Sequence, residues 1–300
     1  MRFNRGMETI HTYQLIAFDL DGTLLDDAKR LPPENLRALR AAGEAGMLLV
    51  PATGRIPAGL PEELRGLPGL RYGILVNGSL LYDWQEEKIL DREEISPALA
   101  LQVIDYMDTL PVLYDCYQDN WGYISRDMLE RTPDYVADAG ILGLIQRLRT
   151  PVDSLRAYLK EKGEPVQKLQ MYFRDQELRH RLLKELPERF PELAVTTSVP
   201  MNIELNSAGA NKGAALQRLC RLLGIPTENT IAFGDGTNDI TLLQTAGLGV
   251  AMANAAPEVK AAADTVTKIN EQAGVAFALD KIMGGEIVCG SPSVNMRSVP

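Results

Sequence analysis

The chain has 300 residues, 45% of them hydrophobic, and a formal net charge of −9 at pH 7. That is enough apolar material for two domain cores, and an acidic balance without any basic run argues against a nucleic-acid partner. Three scattered cysteines argue against a disulfide framework and for a reducing compartment; with no apolar stretch near the length of a membrane span and no signal-peptide core in residues 1–10, the expectation is a cytoplasmic protein without membrane contact.

The first predicted element is a buried strand from Gln14 to Phe18, which runs straight into Asp19-Leu20-Asp21-Gly22-Thr23. Gly22 permits the sharp turn that must follow, so Asp19 and Asp21 sit at the carboxyl end of a strand. In open α/β sheets that edge faces a ligand crevice. Two carboxylates this close repel one another unless a cation or a shared proton offsets the repulsion, and Mg²⁺, a hard ion with oxygen ligands, is the natural candidate.

A second apolar run in Leu48–Arg55, LLVPATGR, stops at Thr53-Gly54, where a hydroxyl and a close backbone approach are available to an anionic oxygen. Arg55 follows and has two readings, reaching the pocket or making a structural salt bridge. The stretch from Tyr82 to Arg92 reads as a hairpin, and Ser96-Pro97 as the N-cap and first residue of a helix to about Leu110. Strands follow at Val112–Tyr117 and Trp121–Ser125, then a less clear helical stretch up to Lys160. A strand at Val166–Phe173, a helix at Gln176–Arg189 and strands at Ala194–Thr197 and Asn202–Leu205 complete the middle of the chain. Lys212 opens a helix to about Leu223, placing an ammonium as a point charge for phosphate and a neighbouring carboxylate. Finally Thr230–Leu243 reads as strand, Gly-Asp-Gly turn and helix start. Asp235 and Asp239, four apart, reach one mouth if the turn leads straight into the helix.

Each motif has a plain alternative: Asp21-Gly22 as a surface turn, Thr53-Gly54 as a loop, Lys212 as a solvated charge, Asp239 as a first-turn acid. What favours the functional reading is that a parallel sheet gathers all four at one edge. Residues 84–203, between the early and late motifs, are too many for a structureless loop.

With these motifs in this order, the chain resembles the haloacid dehalogenase superfamily of phosphohydrolases. The ATGR at Thr53, the ANKG at Lys212, the GDGTND at Asp235 and the AGLGVAMANA from Ala246 are similar to the Cof-type, class IIB sugar-phosphate phosphatases. The resemblance covers residues 14–281. It implies a Rossmann-like, doubly wound parallel sheet core with an inserted α+β cap domain: residues 1–83 and 204–283 as core, 84–203 as cap and 284–300 as a flexible tail. It implies Mg²⁺ as cofactor and a small phosphorylated metabolite as substrate. Asp19 is then the nucleophile, forming an aspartyl-phosphate, and Asp21 protonates the leaving oxygen and later activates water. Thr53 and Lys212 hold phosphoryl oxygens. Asp19, the backbone carbonyl of Asp21 and Asp235 bind the metal with Asp239 in support, and Asn238 stands beside the phosphate. Gly22, Gly54, Arg55, Asn77 and Gly78 line the phosphate pocket.

In the cap, Asp115, Tyr117, Trp121, Tyr123, Arg126, Lys168 and Tyr172 are candidates for reading the rest of the substrate, with half-buried packing as the alternative for each. One departure from the family pattern stands at Asn270–Ala276, NEQAGVA, where Ala273 replaces an expected aspartate. His11 and His180 lack catalytic neighbours, Cys116 and Cys220 read as core packing, and no nucleotide P-loop is present. Other readings are a phosphotransferase or mutase, a sugar-phosphate sensor without turnover, and a phospho-receiver; Asp21 and the insert count against the last. Oligomeric state has no signature.

Overall fold

The computed structural model describes residues 13–285. His11, the alternative start Met7 and most of the expected tail lie outside the described residues. The chain begins with β1 (Leu15–Phe18) and β2 (Leu48–Pro51), parallel and in register from Leu15 opposite Leu48. Three further strands, β3 (Tyr72–Leu75), β4 (Leu80–Asp83) and β5 (Lys88–Arg92), form an antiparallel sheet. It joins the first sheet through single parallel bridges from Leu49 to Leu70 and from Ala52 to Ile74.

Six strands then make a second large sheet: β6 (Leu113–Gln118), β7 (Trp121–Ser125), β8 (Arg149–Val152), β9 (Lys168–Tyr172), β10 (Leu193–Thr196) and β11 (Asn202–Ser207), in the order β10-β11-β9-β6-β7-β8. The expected boundary at 203/204 falls within β11. The chain returns with β12 (Thr230–Gly234), β13 (Leu248–Ala251) and β14 (Thr265–Val266), which complete a parallel sheet in the order β14-β13-β12-β1-β2. β1 therefore pairs with β2 on one side and with β12, some two hundred positions later, on the other.

Alternation along these strands decides what each face buries. Ile16 and Phe18 of β1 pack with Leu39 of the Pro33–Glu44 helix and with Val275 and Leu279 of the Gly274–Met283 helix. Leu15 and Ala17 pack on the opposite face with Leu216 and Leu219 of the Lys212–Leu223 helix. Helices thus cover both faces of the parallel sheet, as the doubly wound expectation required.

The six-stranded sheet behaves differently. Tyr114 and Cys116 on β6, Leu169 and Met171 on β9, and Ile203 and Leu205 on β11 share one apolar core. Their neighbours Asp115, Lys168, Gln170, Asn202, Glu204 and Asn206 are buried polar residues on the other face. Buried polar side chains cost free energy unless they are hydrogen-bonded, so this face must carry its own network.

Helix ends follow their local chemistry. Ser96 accepts the Leu99 N–H and Pro97 opens the Pro97–Met107 helix. The Gln176–Arg189 helix spans the expected residues, and Asp175 caps it. The unclear stretch resolves into a short helix at Arg126–Arg131, a helix at Ala139–Leu148 capped by Asp138, and another at Leu155–Lys162, ended by left-handed Gly163. Among the described residues no helix is long and apolar enough to cross a membrane.

Candidate active site

Asp19 follows β1 directly, and its N–H donates to the Phe233 carbonyl of β12, which ties the two strand ends together. Gly22 turns the chain at φ +86°, and a Cβ there would stand 2.3 Å from Asp235 Oδ2. Only glycine lets the two acidic segments approach this closely. Asp235 follows β12, and Thr23 donates its hydroxyl to Asp235 Oδ1 at 2.7 Å.

Lys212 is the first residue of its helix because Asn211 caps that helix, accepting the Ala214 N–H at 2.8 Å. Its buried ammonium donates to Asp19 Oδ1 at 2.7 Å and Asp239 Oδ1 at 2.5 Å. Asp239 Oδ2 accepts the backbone N–H groups of Asp235 and Gly236, so this carboxylate shapes the turn and holds the lysine. Carboxylate oxygens of Asp19, Asp235 and Asp239 lie within 4.8 Å of one another.

Burial raises the Asp19 carboxyl well above its ordinary value; Lys212 opposes that shift, and Asp239, Asp235 and Asp21 add to it. Burial also pushes Asp235 up to about 7, reinforced by Asp239. The Lys212 ammonium is pushed the other way from what burial alone would do, upward, by Asp19 and Asp239. Crowded acids with raised pKa values call for a cation in addition to one lysine. Neither Asp19 Oδ2 nor Asp235 Oδ2 accepts a hydrogen bond among the described residues. Such hard oxygen donors fit Mg²⁺.

Asp21 lines the same cleft and has cations for partners. Arg55 grips it with two hydrogen bonds, Nε to Oδ2 at 2.8 Å and Nη2 to Oδ1 at 2.7 Å, and Lys29 Nζ stands 3.0 Å from Oδ1. Burial would raise the Asp21 carboxyl, but Arg55 and Lys29 outweigh it and hold it at about 2. Arg55 makes a salt bridge to Asp21 and also lines the cleft.

Thr53 is buried, and its hydroxyl accepts the Arg55 N–H at 3.2 Å. The Gly54 carbonyl accepts a bond from Lys168 Nζ at 3.3 Å. Asn77, at φ +57°, accepts from Asn238 Nδ2 at 3.1 Å and donates to Glu204 Oε2 at 2.5 Å. Gly78, at φ +99°, lets its loop press on the Asn211 carbonyl, 2.4 Å from where a Cβ would be. The expected site residues therefore converge on one region, with Asp21 held by Arg55 and Lys29 and not part of the cluster of Asp19, Asp235 and Asp239.

Tyr117, Lys168 and Tyr172 line the cleft. Asp115 is buried beneath it, accepting from Arg149 Nε and the Tyr172 hydroxyl, each at 2.8 Å. Trp121 bonds Thr150, Tyr123 stacks on Tyr158, and Arg126 stands on the surface facing Asp153; none of these three lines the cleft. His180 is exposed, and Cys116 and Cys220 are buried and unpaired.

The NEQAGVA loop forms despite Ala273. Asn270 Nδ2 donates to the Leu25 carbonyl and to Asp27 Oδ1, and Glu271 accepts the Asp27 N–H at 2.7 Å. Ala273 takes the left-handed φ of 49°.

Sequence reasoning passed over Thr23, Lys29, Arg149, Glu204 and Asn254, which donates to the Gly22 carbonyl at 2.8 Å. Glu204 carried a signal, a carboxylate between Ile203 and Leu205 in a strand. Lys29 carried none.

A family model described as haloacid dehalogenase-like hydrolase matches residues 16–279. A 5-amino-6-(5-phospho-D-ribitylamino)uracil phosphatase of Bacillus subtilis is 32% identical over 89% of this chain and 94% of its own. A pyridoxal phosphate phosphatase of Escherichia coli is 30% identical, over 88% and 97%. The solved structure of a haloacid dehalogenase-like hydrolase from B. subtilis superposes with a TM-score of 0.77 at 30% identity, covering 89% of this chain and 99% of that one. The chain belongs to the haloacid dehalogenase-like hydrolases, of the Cof type. It is an enzyme of the phosphatase kind that its named relatives share.

Proposed function

We propose that the protein is a Mg²⁺-dependent, cytoplasmic phosphatase of small phosphorylated metabolites, sugar phosphates among them, working through an aspartyl-phosphate on Asp19. The observation that carries this reading is Lys212, fully buried and bonded at once to Asp19 and Asp239, with Asp235 alongside. A phosphate monoester dianion repels an incoming carboxylate, and an arrangement that gathers positive charge beside Asp19 removes that obstacle.

Asp19 and Asp235, with the Asp21 backbone carbonyl, would hold the metal, and Asp239 would support them. When bound, Mg²⁺ supplies charge neutralisation for the phosphoryl oxygens. Asp19 attacks phosphorus as the ester oxygen departs, so that the P–O bond to Asp19 forms while that to the alcohol breaks. Asp21 gives the departing oxygen a proton and then takes one from the water that hydrolyses the intermediate. In the state described, the grip of Arg55 and Lys29 keeps Asp21 ionised, which suits the second step. For the first step, an entering phosphate offers both cations another partner and loosens their hold. Thr53, Asn238 and the backbone at Gly54 position the phosphoryl group.

We further propose that the insert expected at residues 84–203 is a cap on the core, with its limits moved by the sheets: β5 stays with β4 on the core side, and the cap's six-stranded sheet runs on to Ser207. A separate sheet with its own apolar core supports that division, as does the polar face it turns toward Gly54 and Asn77. Such a cover excludes water and reads the leaving group. Buried, unpaired Cys116 and Cys220 suit a reducing cytoplasm.

Phosphate release with Mg²⁺ tests the proposal. Wild type turns over repeatedly, Asp21→Asn is slowed ~10²- to 10⁴-fold, and Asp19→Asn is inactive. A single burst in wild type would indicate a receiver, and no release a sensor.

A further inference from the structure

The cleft above Asp19 has two unlike walls. One is the polar face of the six-stranded sheet. The other is the Ala139–Leu148 helix, whose N-terminal end approaches the 26–30 segment: a Cβ on Gly140 would stand 3.8 Å from Lys29 Cγ. Ile145, Ile141 and Leu142 pack this helix onto Leu113, Val136 and Tyr172. Leu144 and Leu148 do not. Four apart, they share one stripe of the helix, are half-buried, and line the cleft with Asp19 and Asp21. Among the described residues neither joins any hydrophobic core. Two half-buried leucines that line a catalytic cleft and stand outside those cores form a surface for something else to cover.

The cations of the cleft tell a complementary story. Lys29 and Arg55 face Asp21, Arg149 faces Asp115 at 2.8 Å, and Lys168 faces Glu204 at 3.0 Å. Lys29 and Arg55 share one carboxylate, which leaves a positive charge in excess beside Asp21 for the phosphoryl group, whereas Arg149 and Lys168 each face their own; a second anionic group away from the phosphoryl site would meet no spare positive charge.

We infer that the alcohol released by this enzyme is uncharged and carries an apolar or aromatic face, which lies on the Leu144–Leu148 stripe while its polar edge meets the sheet. This rests on the phosphatase reading and narrows its substrate class away from multiply charged acids and from sugars hydroxylated on every side.

The test compares kcat/KM, with Mg²⁺, for phosphate esters of primary alcohols: phenethyl phosphate, glucose 6-phosphate and 3-phosphoglycerate. Phenethyl phosphate is expected to lead both others by about tenfold or more. In Leu144→Asn and Leu148→Asn, checked for folding by thermal melting, the ratio of phenethyl to ethyl phosphate turnover falls about tenfold, mostly through KM. Leu144→Met retains the ratio. Equal or better turnover of glucose 6-phosphate or 3-phosphoglycerate, or a ratio unmoved by asparagine, overturns the inference. Phosphate release from none of these esters, nor from p-nitrophenyl phosphate, overturns the phosphatase reading and this inference with it.

Discussion

Replacing Lys212 by methionine removes one charge and very little volume, so its cost isolates the electrostatics of the site. The ammonium is fully buried and makes its two ion pairs at 2.7 and 2.5 Å. Deleting one partner of a buried, hydrogen-bonded charge set costs about 3–5 kcal/mol. Against a typical stability of roughly 5–15 kcal/mol, that is a large share. The cost also depends on pH. Asp19 is already raised by burial and held back by Lys212; without the lysine its carboxyl rises further. An acid whose folded pKa lies above its unfolded value binds more protons in the native state, so stability falls as pH rises through that window. The deficit of Lys212→Met is therefore largest at pH 8 and shrinks toward pH 5.5 as Asp235, raised to about 7, takes up its proton, with Asp19 shifted in the same direction. Urea unfolding of both proteins at the two pH values, without divalent cation, reads this directly. A variant as stable as wild type at pH 8, or one whose deficit grows on acidification, would refute the electrostatic account.

Two further outcomes follow from the same geometry. Gly22→Ala places a methyl 2.3 Å from Asp235 Oδ2 at a φ of +86°, so it displaces that carboxylate. The account predicts a loss of ~10²-fold or more in kcat/KM together with weakened Mg²⁺ binding by calorimetry; unchanged binding would show that Asp235 does not serve the metal. Asp235 is raised to about 7, so below that pH a proton competes with the metal. Apparent Mg²⁺ affinity falls by about tenfold per pH unit between 6.5 and 5.5, and a flat titration over that range would remove Asp235 from the ligand set.

What the sequence made legible was local. A strand that stops at Asp-x-Asp-Gly, another that stops at Thr-Gly, and a lysine after Asn at a helix start each announce their own geometry, and the sheet order brings them together. The Gln176–Arg189 helix was equally plain, because its cap and its periodicity agree. Partnerships across long separations were not legible. Nothing near Arg55 shows that its fork closes on Asp21, nor does the position of Lys29 reveal that it joins them. Among the cap candidates, alternation put Tyr117 and Lys168 on the cleft face and Trp121 at a hairpin end, a distinction that depends on register, which composition does not carry. The Ala139–Leu148 helix read poorly for a physical reason: it is apolar on two sides, one toward the sheet and one toward the cleft.

The central claim is that Asp19 accepts the phosphoryl group. Rapid acid quench of the enzyme during turnover of a phosphate ester with Mg²⁺, followed by peptide mass spectrometry, measures it most directly. The account predicts a phosphoryl group on the peptide containing Asp19, lost by chase and absent in Asp19→Asn. Label on any other residue, or steady turnover by Asp19→Asn, would contradict it.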